Sequence, residues 1–571
     1  MATWRATRSI IQIHPDICTF NIIINCYCHL GHVSIGGFAV FAKILRLGFK
    51  PDAFTFNTLL KGLFLEGKNT HALKLFQVIV KNGYPCNEVT YRVVINGFCK
   101  TKETASALSL LKMMEKQNIS IDVDMYNMII DSLCKEGQIN KAESLFREMN
   151  GKGLKPNVVT YSTLLHGFCC LGQSKTAQCL LQEMMEKRIS PDVISFNILI
   201  DALCKDMRTD DALQLLALML QQHQKPDLST YNSLIHGLCT SNQLNEAIKL
   251  FTDMVHRGVL PDLTTFNTLL DAICKAGMLE DANELLETMI ARGIQPDIIT
   301  YNVLIDGYCL QGKMEGAMKV FHSMMTKGHE PDVFSYTILI NGYCKAKRLD
   351  EAIRLFQDMK SKGLTPDTVT YNTLIDGLFK VRRVVEAHNL FKVMQDQGQS
   401  PDILTYGTLI DGFYANGCFS EAMELLGMIE KNGLKADIVI YTIVIDSMCK
   451  VGKINEAKEL FYSLPTKELR PDTKLCTTMI NRYCKEGMLK DAENMFKEME
   501  EKGIAPNDYT FNIMVQAFLK ENDTEKAIEY LNTMQKRSII RHAETVSLIV
   551  DIIAANKTNP ENRELLHKLL L

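Results

Sequence analysis

The sequence lacks a surplus of charge and any long apolar run. Its 63 basic and 66 acidic side chains leave a formal net charge of -3. Any binding of nucleic acid must therefore depend on where individual charges lie, because bulk charge does not favour it. No segment approaches the roughly 20 consecutive apolar residues that a membrane-spanning helix needs. We therefore predict a soluble protein with no membrane partner.

Motifs of catalysis and metal binding are also missing. There is no nucleophile–base constellation and no glycine-rich phosphate loop. The 18 cysteines include no C-x-x-C pair, which argues against a zinc site. His542 and Glu544 match the H-x-E half of a zinc deaminase signature, but the P-C-x-x-C half is absent. The sequence thus predicts no metal, no cofactor and no enzymatic activity.

The first 16 residues form a separate N-terminal segment. Arg5 and Arg8 precede the first acidic residue, Asp16, as is typical of organelle transit peptides. Two interpretations stay open: a remnant of a transit peptide, or an ordinary or truncated N-terminus.

One spacing dominates the rest of the chain. Pro-Asp pairs recur every 35 residues, beginning at Pro191, Pro226, Pro261, Pro296, Pro331, Pro366 and Pro401. Cysteines keep the same period at Cys99, Cys134, Cys169, Cys204, Cys239, Cys274, Cys309 and Cys344. We count fifteen repeats: residues 17–52, with one extra residue near Gly36 and Gly37, and then fourteen repeats over 53–542. A partial C-terminal repeat, 543–571, closes the chain.

Each repeat has the pattern of two helices. In residues 298–332, apolar side chains recur at helical spacing in two stretches that Gly312 separates. Thr300 is the expected N-cap of the first helix, and Gly312 and Gly328 are the expected C-terminal stops. One helical hairpin cannot bury its apolar face alone, but stacked hairpins can. The sequence therefore predicts an all-α solenoid in which the periodic cysteines are small buried hydrophobic residues.

The repeats resemble a known family. Residues 368–402, TVTYNTLIDGLFKVRRVVEAHNLFKVMQDQGQSPD, are similar to the pentatricopeptide repeat, and the resemblance covers about 17–542. Tetratricopeptide repeats have 34 residues and a Trp/Gly/Tyr signature, whereas Trp4 is the only tryptophan here. The phrase FNTLLKGLFLEGK at 56–68 and the Cys-Lys-rich first helices resemble P-class, restorer-of-fertility-like plant organelle proteins.

This resemblance implies a fold and a function. The fold is a right-handed α-solenoid superhelix of about 15 stacked 35-residue helix-turn-helix repeats. The function is sequence-specific binding of single-stranded RNA, one base per repeat, in organelle RNA processing, stability or translation, with RNA-processing proteins as expected partners. Mitochondria are the expected location and chloroplasts the alternative. A protein–protein interaction scaffold of the tetratricopeptide type is the alternative function.

In the family that these repeats resemble, the fifth and last residues of each repeat read one RNA base. The fifth residues here are Asn21, Asn57, Arg92, Asn127, Ser162, Asn197, Asn232, Asn267, Asn302, Thr337, Asn372, Gly407, Thr442, Thr477 and Asn512. The last residues are Asp52, Asn87, Asp122, Asn157, Asp192, Asp227, Asp262, Asp297, Asp332, Asp367, Asp402, Asp437, Asp472, Asn507 and His542. A structural interpretation stays open for both sets, because Asn near a helix start and Asp after Pro also cap helices.

Hydrogen-bond chemistry relates these pairs to bases. Aspartate only accepts, which suits the central N–H of U and G, whereas asparagine can donate to the central acceptor of C and A. A small hydroxyl at the fifth position leaves room for a purine. These preferences agree with the family's pairings and predict the target 5′-UCNCGUUUUGUNGAN-3′, with U as the alternative at the C positions and a U-rich core read from Asn197 to Asp332. Repeats 3, 12 and 15 are left without a base.

Two further sets of residues could contact RNA. Apolar second residues could wedge between bases: Phe54, Val89, Val159, Ile194, Ile299, Phe334, Val369, Leu404, Val439 and Tyr509. Packing between repeats is the alternative for these residues. Lysines late in the first helices could hold phosphates: Lys100, Lys135, Lys205, Lys275, Lys345, Lys380, Lys450, Lys485 and Lys520. Solvated lysines favoured by the helix dipole are the alternative for this second set.

Overall fold

Helices are the only regular secondary structure in the described part of the chain. The computed structural model describes residues 15–431, 438–467, 469–537 and 539–554. Residues 1–14 of the predicted N-terminal segment, Asp437, and residues 555–571 of the predicted partial repeat lie outside these ranges. Within the ranges there are 31 α-helices, one π-helix and one 3-10 helix, with no β-strand. Every helix described falls short of the length and apolar character that a membrane crossing requires.

The helices form successive pairs, with odd-numbered helices first and even-numbered helices second. In the first unit, residues 1–276 and 283–295, they are α1 (Ile17–His29), α2 (Phe38–Arg46), α3 (Ala53–Leu65), α4 (Asn69–Lys81), α5 (Glu88–Lys100), α6 (Thr104–Lys116), α7 (Val123–Lys135), α8 (Ile139–Gly151), α9 (Val158–Cys170), α10 (Ser174–Glu186), α11 (Val193–Lys205), α12 (Thr209–Gln221), α13 (Leu228–Thr240), α14 (Leu244–His256) and α15 (Leu263–Lys275). Helix α16 (Leu279–Ala291) has residues in both units.

The second unit comprises residues 277–282 and 296–571. Its helices are α17 (Ile298–Leu310), α18 (Met314–Thr326), α19 (Val333–Lys345), α20 (Leu349–Ser361), α21 (Thr368–Lys380), α22 (Val384–Asp396), α23 (Ile403–Ala415), α24 (Phe419–Lys431), α25 (Ile438–Lys450), α26 (Ile454–Ser463), α27 (Thr473–Lys485), α28 (Leu489–Glu501), α29 (Asp508–Lys520), α30 (Thr524–Lys536) and α31 (Ala543–Ala554). The 3-10 helix Leu464–Lys467 follows α26.

First helices begin directly after the last residue of the preceding repeat. Helix α17 begins at Ile298, and its N-cap is Asp297, whose backbone is extended. The Asp297 carboxylate accepts the N–H of Thr300 at 2.8 Å, and the Thr300 hydroxyl accepts the N–H of Asp297 at 3.2 Å. Our expectation that Thr300 is the N-cap is therefore wrong. Because aspartate caps more strongly than threonine, the helix begins earlier and Thr300 takes the third position of a capping box.

Helices end at residues whose backbone has a positive φ. Gly312 has φ +69° after α17 and Gly328 has φ +86° after α18, as the sequence predicts. Arg382 takes the equivalent place after α21, with φ 63°. A left-handed backbone costs a residue with a Cβ roughly 1–2 kcal/mol, so the stacking of the repeat must offset this cost at Arg382.

Within each unit, first helices pack against second helices of their own repeats and against neighbouring first helices. In the first unit, Tyr161, Phe196 and Tyr231 of successive first helices are fully buried, as are Ala212 and Met219 of a second helix. Burying one large apolar side chain contributes roughly 1.5–3 kcal/mol. Equivalent side chains form the core of the second unit. The predicted all-α solenoid of stacked helix pairs is confirmed within each unit.

The periodic cysteines lie where successive first helices approach each other. Cys204 is buried, and a Cβ on Gly237 of the next first helix would come within 2.5 Å of Cys204 Sγ. In the second unit, a Cβ on Gly377 would come equally close to Cys344 Sγ. Burial raises the pKa of Cys204 and Cys344 to about 12, so both thiols stay protonated. A small thiol against a glycine is what allows the helices to pack closely.

The first repeat holds its extra residue in a π-helix. The insertion predicted near Gly36 and Gly37 lies in the π-helix Val33–Gly37, directly before α2. A π-turn takes one more residue than an α-turn, so the extra residue is absorbed without shifting the following repeats. A Cβ at position 36 would collide with the ring of Tyr27.

Candidate nucleic-acid interface

Capping of the first helices brings the predicted base-reading pairs together. The last residue of a repeat caps the next first helix, and the fifth residue of the preceding first helix lies beside it. Asn197 Nδ2 donates to Asp227 Oδ1 at 3.0 Å, and Asn232 Nδ2 donates to Asp262 Oδ1 at 3.2 Å. The same contact joins Asn21 to Asp52, Asn127 to Asn157, and Asn372 to Asp402. Residues about 30 apart in sequence thus form one polar pair.

A threonine hydroxyl completes these pairs. Thr230, the third residue of α13, donates its hydroxyl to Asn197 Oδ1 at 2.6 Å and its backbone N–H to Asp227 Oδ1 at 2.9 Å. The hydroxyl therefore holds the Asn197 amide with its oxygen toward Thr230 and its NH2 group toward Asp227. The same hydroxyl contact joins Thr55 to Asn21 and Thr265 to Asn232. Sequence reasoning missed this role, although a Ser or Thr at this position in twelve of fifteen repeats carried the signal.

The two oxygens of the capping aspartate have different surroundings. The contacts of Asp262 with the Thr265 N–H at 2.9 Å, with the Thr265 hydroxyl at 2.8 Å and with Asn232 all use Oδ1. Among the described residues, none of these hydrogen bonds uses Oδ2. Burial opposes ionisation of Asp262, but hydrogen bonds from Thr265 and Asn232 outweigh it and lower the pKa of the carboxyl. The group is therefore a charged acceptor at neutral pH.

Hydroxyl residues at the fifth position behave differently from asparagine. The Thr337 hydroxyl donates to the Val333 carbonyl at 2.8 Å and lies 2.7 Å from the Thr370 hydroxyl. Two other pairs make the same hydroxyl–hydroxyl contact: Ser162 with Ser195, and Thr477 with Thr510. These short side chains bond to their own helix and to the next one, and in the described structure none of the three bonds to the capping residue as asparagine does.

Some fifth-position asparagines are less completely bonded. The Oδ1 atoms of Asn57, Asn127, Asn302 and Asn372 are buried and have no hydrogen bond within the described residues. Leaving a buried acceptor unpaired costs about 1–3 kcal/mol. Within the predicted U-rich core, Asn197 and Asn232 bond through both Nδ2 and Oδ1, whereas the Oδ1 of Asn302 has no partner in the described residues.

The repeats left without a base have other arrangements. Arg92 makes an ion pair with Asp122, and the partner of Gly407, Asp437, lies outside the described residues. Asn512 Oδ1 accepts the backbone N–H of His542 at 2.9 Å. The His542 ring contacts Asp508 at 3.1 Å, so the predicted Asn512/His542 pair is joined through the backbone of His542 and not through its side chain.

The predicted wedge residues lie at the surface, in the first turn of the first helices. All ten are exposed, from 40% at Val439 to 69% at Leu404. Packing between repeats would bury such side chains, so it does not account for this exposure. Their apolar surfaces therefore face solvent in the described structure.

The nine predicted phosphate lysines are each the last residue of a first helix, and all are exposed. Several form an ion pair with the aspartate four residues earlier: Lys135 with Asp131, Lys205 with Asp201, Lys275 with Asp271, and Lys380 with Asp376. Exposed ion pairs are worth about 0–1 kcal/mol, so these carboxylates hold the lysines only weakly. Across the described ranges, no three His, Cys, Asp or Glu side chains cluster as metal ligands would.

Comparisons with known proteins follow the same repeats. The profile of the PPR repeat family matches residues 15–65, 51–100, 121–170, 171–205, 191–240, 226–275, 261–310, 296–345, 331–380, 366–415 and 471–520. A second PPR repeat profile matches residues 432–462. A third matches residues 89–119, 404–434 and 509–539.

Two curated relatives match short segments of the chain. One is a pentatricopeptide repeat-containing protein of Arabidopsis thaliana, named as mitochondrial, that is 48% identical over 63 residues. The other is Protein Rf1, mitochondrial, of Oryza sativa subsp. indica, which is 36% identical over 64 residues. Each segment is 11% of this chain, and the segments span 10% and 8% of the lengths of these relatives.

A solved structure matches over the whole chain. The crystal structure of the pentatricopeptide repeat protein PPR10 from maize superposes with a TM-score of 0.65 at 24% sequence identity, covering 100% of this chain and 82% of that chain. This likeness concerns the fold. Because the family profiles match more than half of the residues, the chain belongs to the PPR repeat family.

Proposed function

We propose that this protein binds single-stranded RNA in a sequence-specific way, with one base read at each junction between repeats. The observation that carries the proposal is the pairing of a fifth-position side chain with a capping Asp or Asn, repeated every 35 residues. At Asn197 and Asp227 the pair has an amide NH2 group and a carboxylate side by side. Such a pair can donate to and accept from one base edge at once.

The chemistry of the pair selects uracil at the junctions of Asn and Asp. The Asp262 Oδ2 atom accepts from N3–H of uracil, and the second N–H of Asn232 donates to a neighbouring uracil carbonyl oxygen. Cytosine has an acceptor at N3, which would face the carboxylate without a proton between them. The short hydroxyls Ser162 and Thr337 leave more space beside an aspartate, which favours the larger guanine.

Exposed apolar residues and lysines supply the part of binding that does not depend on sequence. Side chains such as Ile194 and Phe334 separate and stack on successive bases. The exposed lysines at the ends of first helices attract phosphates, so binding weakens as salt rises. A local row of lysines does this even though the chain has a net charge of -3.

We propose that RNA occupancy, without catalysis, is how the protein acts in an organelle. A bound solenoid blocks a nuclease, remodels a hairpin, exposes a start site or recruits a processing enzyme. The two curated relatives carry mitochondrial names, which supports a mitochondrial transcript as the target; a chloroplast transcript is the alternative. Affected steps are processing, stability or translation of that transcript.

Binding to the 15-mer 5′-UCNCGUUUUGUNGAN-3′ tests the proposal. The oligonucleotide carries mixed bases at N and is compared with a scrambled 15-mer at two salt concentrations. Each mismatched base costs about 1–3 kcal/mol in specific recognition, so we expect the scrambled RNA to bind at least a hundredfold more weakly. Equal weak binding would contradict the base assignments. No binding at low salt would favour a protein-binding scaffold.

A further inference from the structure

Repeat 3 carries an arginine where the other repeats carry a small or amide side chain. Arg92, the fifth residue, makes an ion pair through Nη2 with Asp122 Oδ2. Asp122 Oδ1 caps α7 by accepting the N–H of Met125 at 2.9 Å. Met125 stands where most repeats have a threonine or serine, so the junction has no hydroxyl to bind the fifth side chain.

The ion pair occupies the carboxylate oxygen that is equivalent to Oδ2 of Asp262. At Asp262 the protein contacts use Oδ1 and leave Oδ2 for a ligand. At Asp122 one oxygen caps the helix and the other binds Arg92. A base at this junction therefore meets a guanidinium instead of a free carboxylate oxygen.

The arginine is open to a ligand on one side. Its Nε is buried without a partner in the described residues, while its side chain is 37% exposed. The second proton of Nη2 and the protons of Nη1 are not used by Asp122. The end of a guanidinium that Nη1 and Nη2 share carries two parallel N–H donors, the geometry in which arginine binds two adjacent acceptors.

We propose that repeat 3 selects cytosine. Cytosine has two adjacent acceptors, O2 and N3, on its Watson–Crick edge, and they match the Nη1–Nη2 edge of Arg92. The same edge of uracil and guanine has a central N–H, which would meet a donor, and adenine has a donor beside its single acceptor. Because arginine is long, it leaves less space for the base at this junction, which favours a pyrimidine over the larger purine. This inference rests on the proposed function and assigns the third base of the target.

Four 15-mers that differ only at the third base test the inference. We expect the wild-type protein to bind the cytosine version roughly tenfold or more tightly than the U, A and G versions. Arg92→Asn creates an Asn/Asp pair and should change the preference at this base to U. Arg92→Lys keeps the charge but lacks the parallel donors, so it should lose the preference for C while keeping the salt dependence of binding.

A U-to-A change at the seventh base, read by Asn232 and Asp262, is the control on the same protein samples. Loss of affinity at base seven with no preference at base three would overturn the inference and leave the proposed function intact. A preference for guanine at base three would also overturn it, because guanine would then be bound through its O6 and N7 acceptors. Indifference at both bases would overturn the proposed function itself. Far-UV circular dichroism of both variants controls for folding.

Discussion

The junctions after repeats 4 and 7 share a fifth residue and differ in the last one. After repeat 7, Asn232 faces Asp262, and its Oδ1 accepts the Thr265 hydroxyl at 2.6 Å. After repeat 4, Asn127 faces Asn157; its Nδ2 donates at 3.3 Å, and its Oδ1 is buried with no partner among the described residues.

The threonine that follows each cap explains part of this difference. The Thr160 hydroxyl lies 3.0 Å from Asn157 Oδ1 and has no hydrogen bond with Asn127 in the described structure. Asp262 offers two acceptor oxygens and Asn157 offers one. Asn372, which faces Asp402, also has an unpaired Oδ1 among the described residues, so the last residue alone does not set the contacts of the asparagine. What the last residue changes is the number of acceptor oxygens at the junction, and with it the base that we expect the junction to read.

Exchanging the last residues should exchange the base preferences. Asp262→Asn replaces the acceptor for uracil N3–H by a side chain that can donate, so base seven should change from U to C. We expect a swing of about 1–3 kcal/mol for each base compared, measured by titration with four 15-mers. Asn157→Asp at repeat 4 is the reverse variant and should change base four from C to U. Unchanged preferences in both variants would contradict the pair chemistry.

Adding a methyl group to Gly237 should weaken the packing of α13 against α11. Gly237 lies on α13 with Asn232, and a new Cβ would come within 2.5 Å of Cys204 Sγ and 3.3 Å of its Cα. We expect Gly237→Ala to lower the free energy of unfolding by about 1–3 kcal/mol, measured by urea denaturation. Ser132 holds the same position on α7 in repeat 4 and already has a Cβ.

The matched variant at that position is Ser132→Ala. It adds no atoms and loses the hydrogen bond to Thr104 at 2.6 Å, so it should cost only about 1 kcal/mol. Equal stability of the Gly237→Ala variant and the wild type would show that the close approach of the first helices is not required.

Removing the cap hydroxyl should change base discrimination at the repeat 7 junction and leave it unchanged at the repeat 4 junction. Thr265→Val removes the donor that orients the Asn232 amide, so discrimination at base seven should weaken by about 0.5–1.5 kcal/mol. Thr160→Val removes the equivalent cap hydroxyl, which does not contact Asn127, so discrimination at base four should stay the same. The measurement is again binding to 15-mers with single base changes. An equal loss in both variants would mean that the hydroxyl acts through helix stability alone.

Acid should affect the aspartate junction and not the asparagine junction. Hydrogen bonds lower the pKa of Asp262 below its ordinary value despite its burial. Its carboxylate therefore stabilises the folded state above that ordinary value, and this contribution is lost as pH falls through the lowered pKa. The difference in unfolding free energy between the wild type and Asp262→Asn should be constant near neutral pH and should shrink in acid. The difference between the wild type and Asn157→Ser should not change with pH.

The fold and half of the site were predictable because they depend on residues close in sequence. Helical spacing, proline and glycine fix the two helices of a repeat within 35 residues. The positions of the fifth and last residues followed from the resemblance to a known repeat. The identity of the N-cap did not, since Thr300 and Asp297 are both good caps and only the observed start of α17 at Ile298 distinguishes them.

The sequence by itself determined the period, the helix pairs, the left-handed stops and the residues that face the junctions. Only the tertiary structure decided that Thr230 binds Asn197 across the junction, that Asp262 keeps Oδ2 free, and that Arg92 occupies the carboxylate of Asp122. The physical reason is distance along the chain. The contacts of Thr230 with Asn197 and of Arg92 with Asp122 join residues 33 and 30 apart, so they depend on how one first helix stacks on the next, which no local propensity specifies.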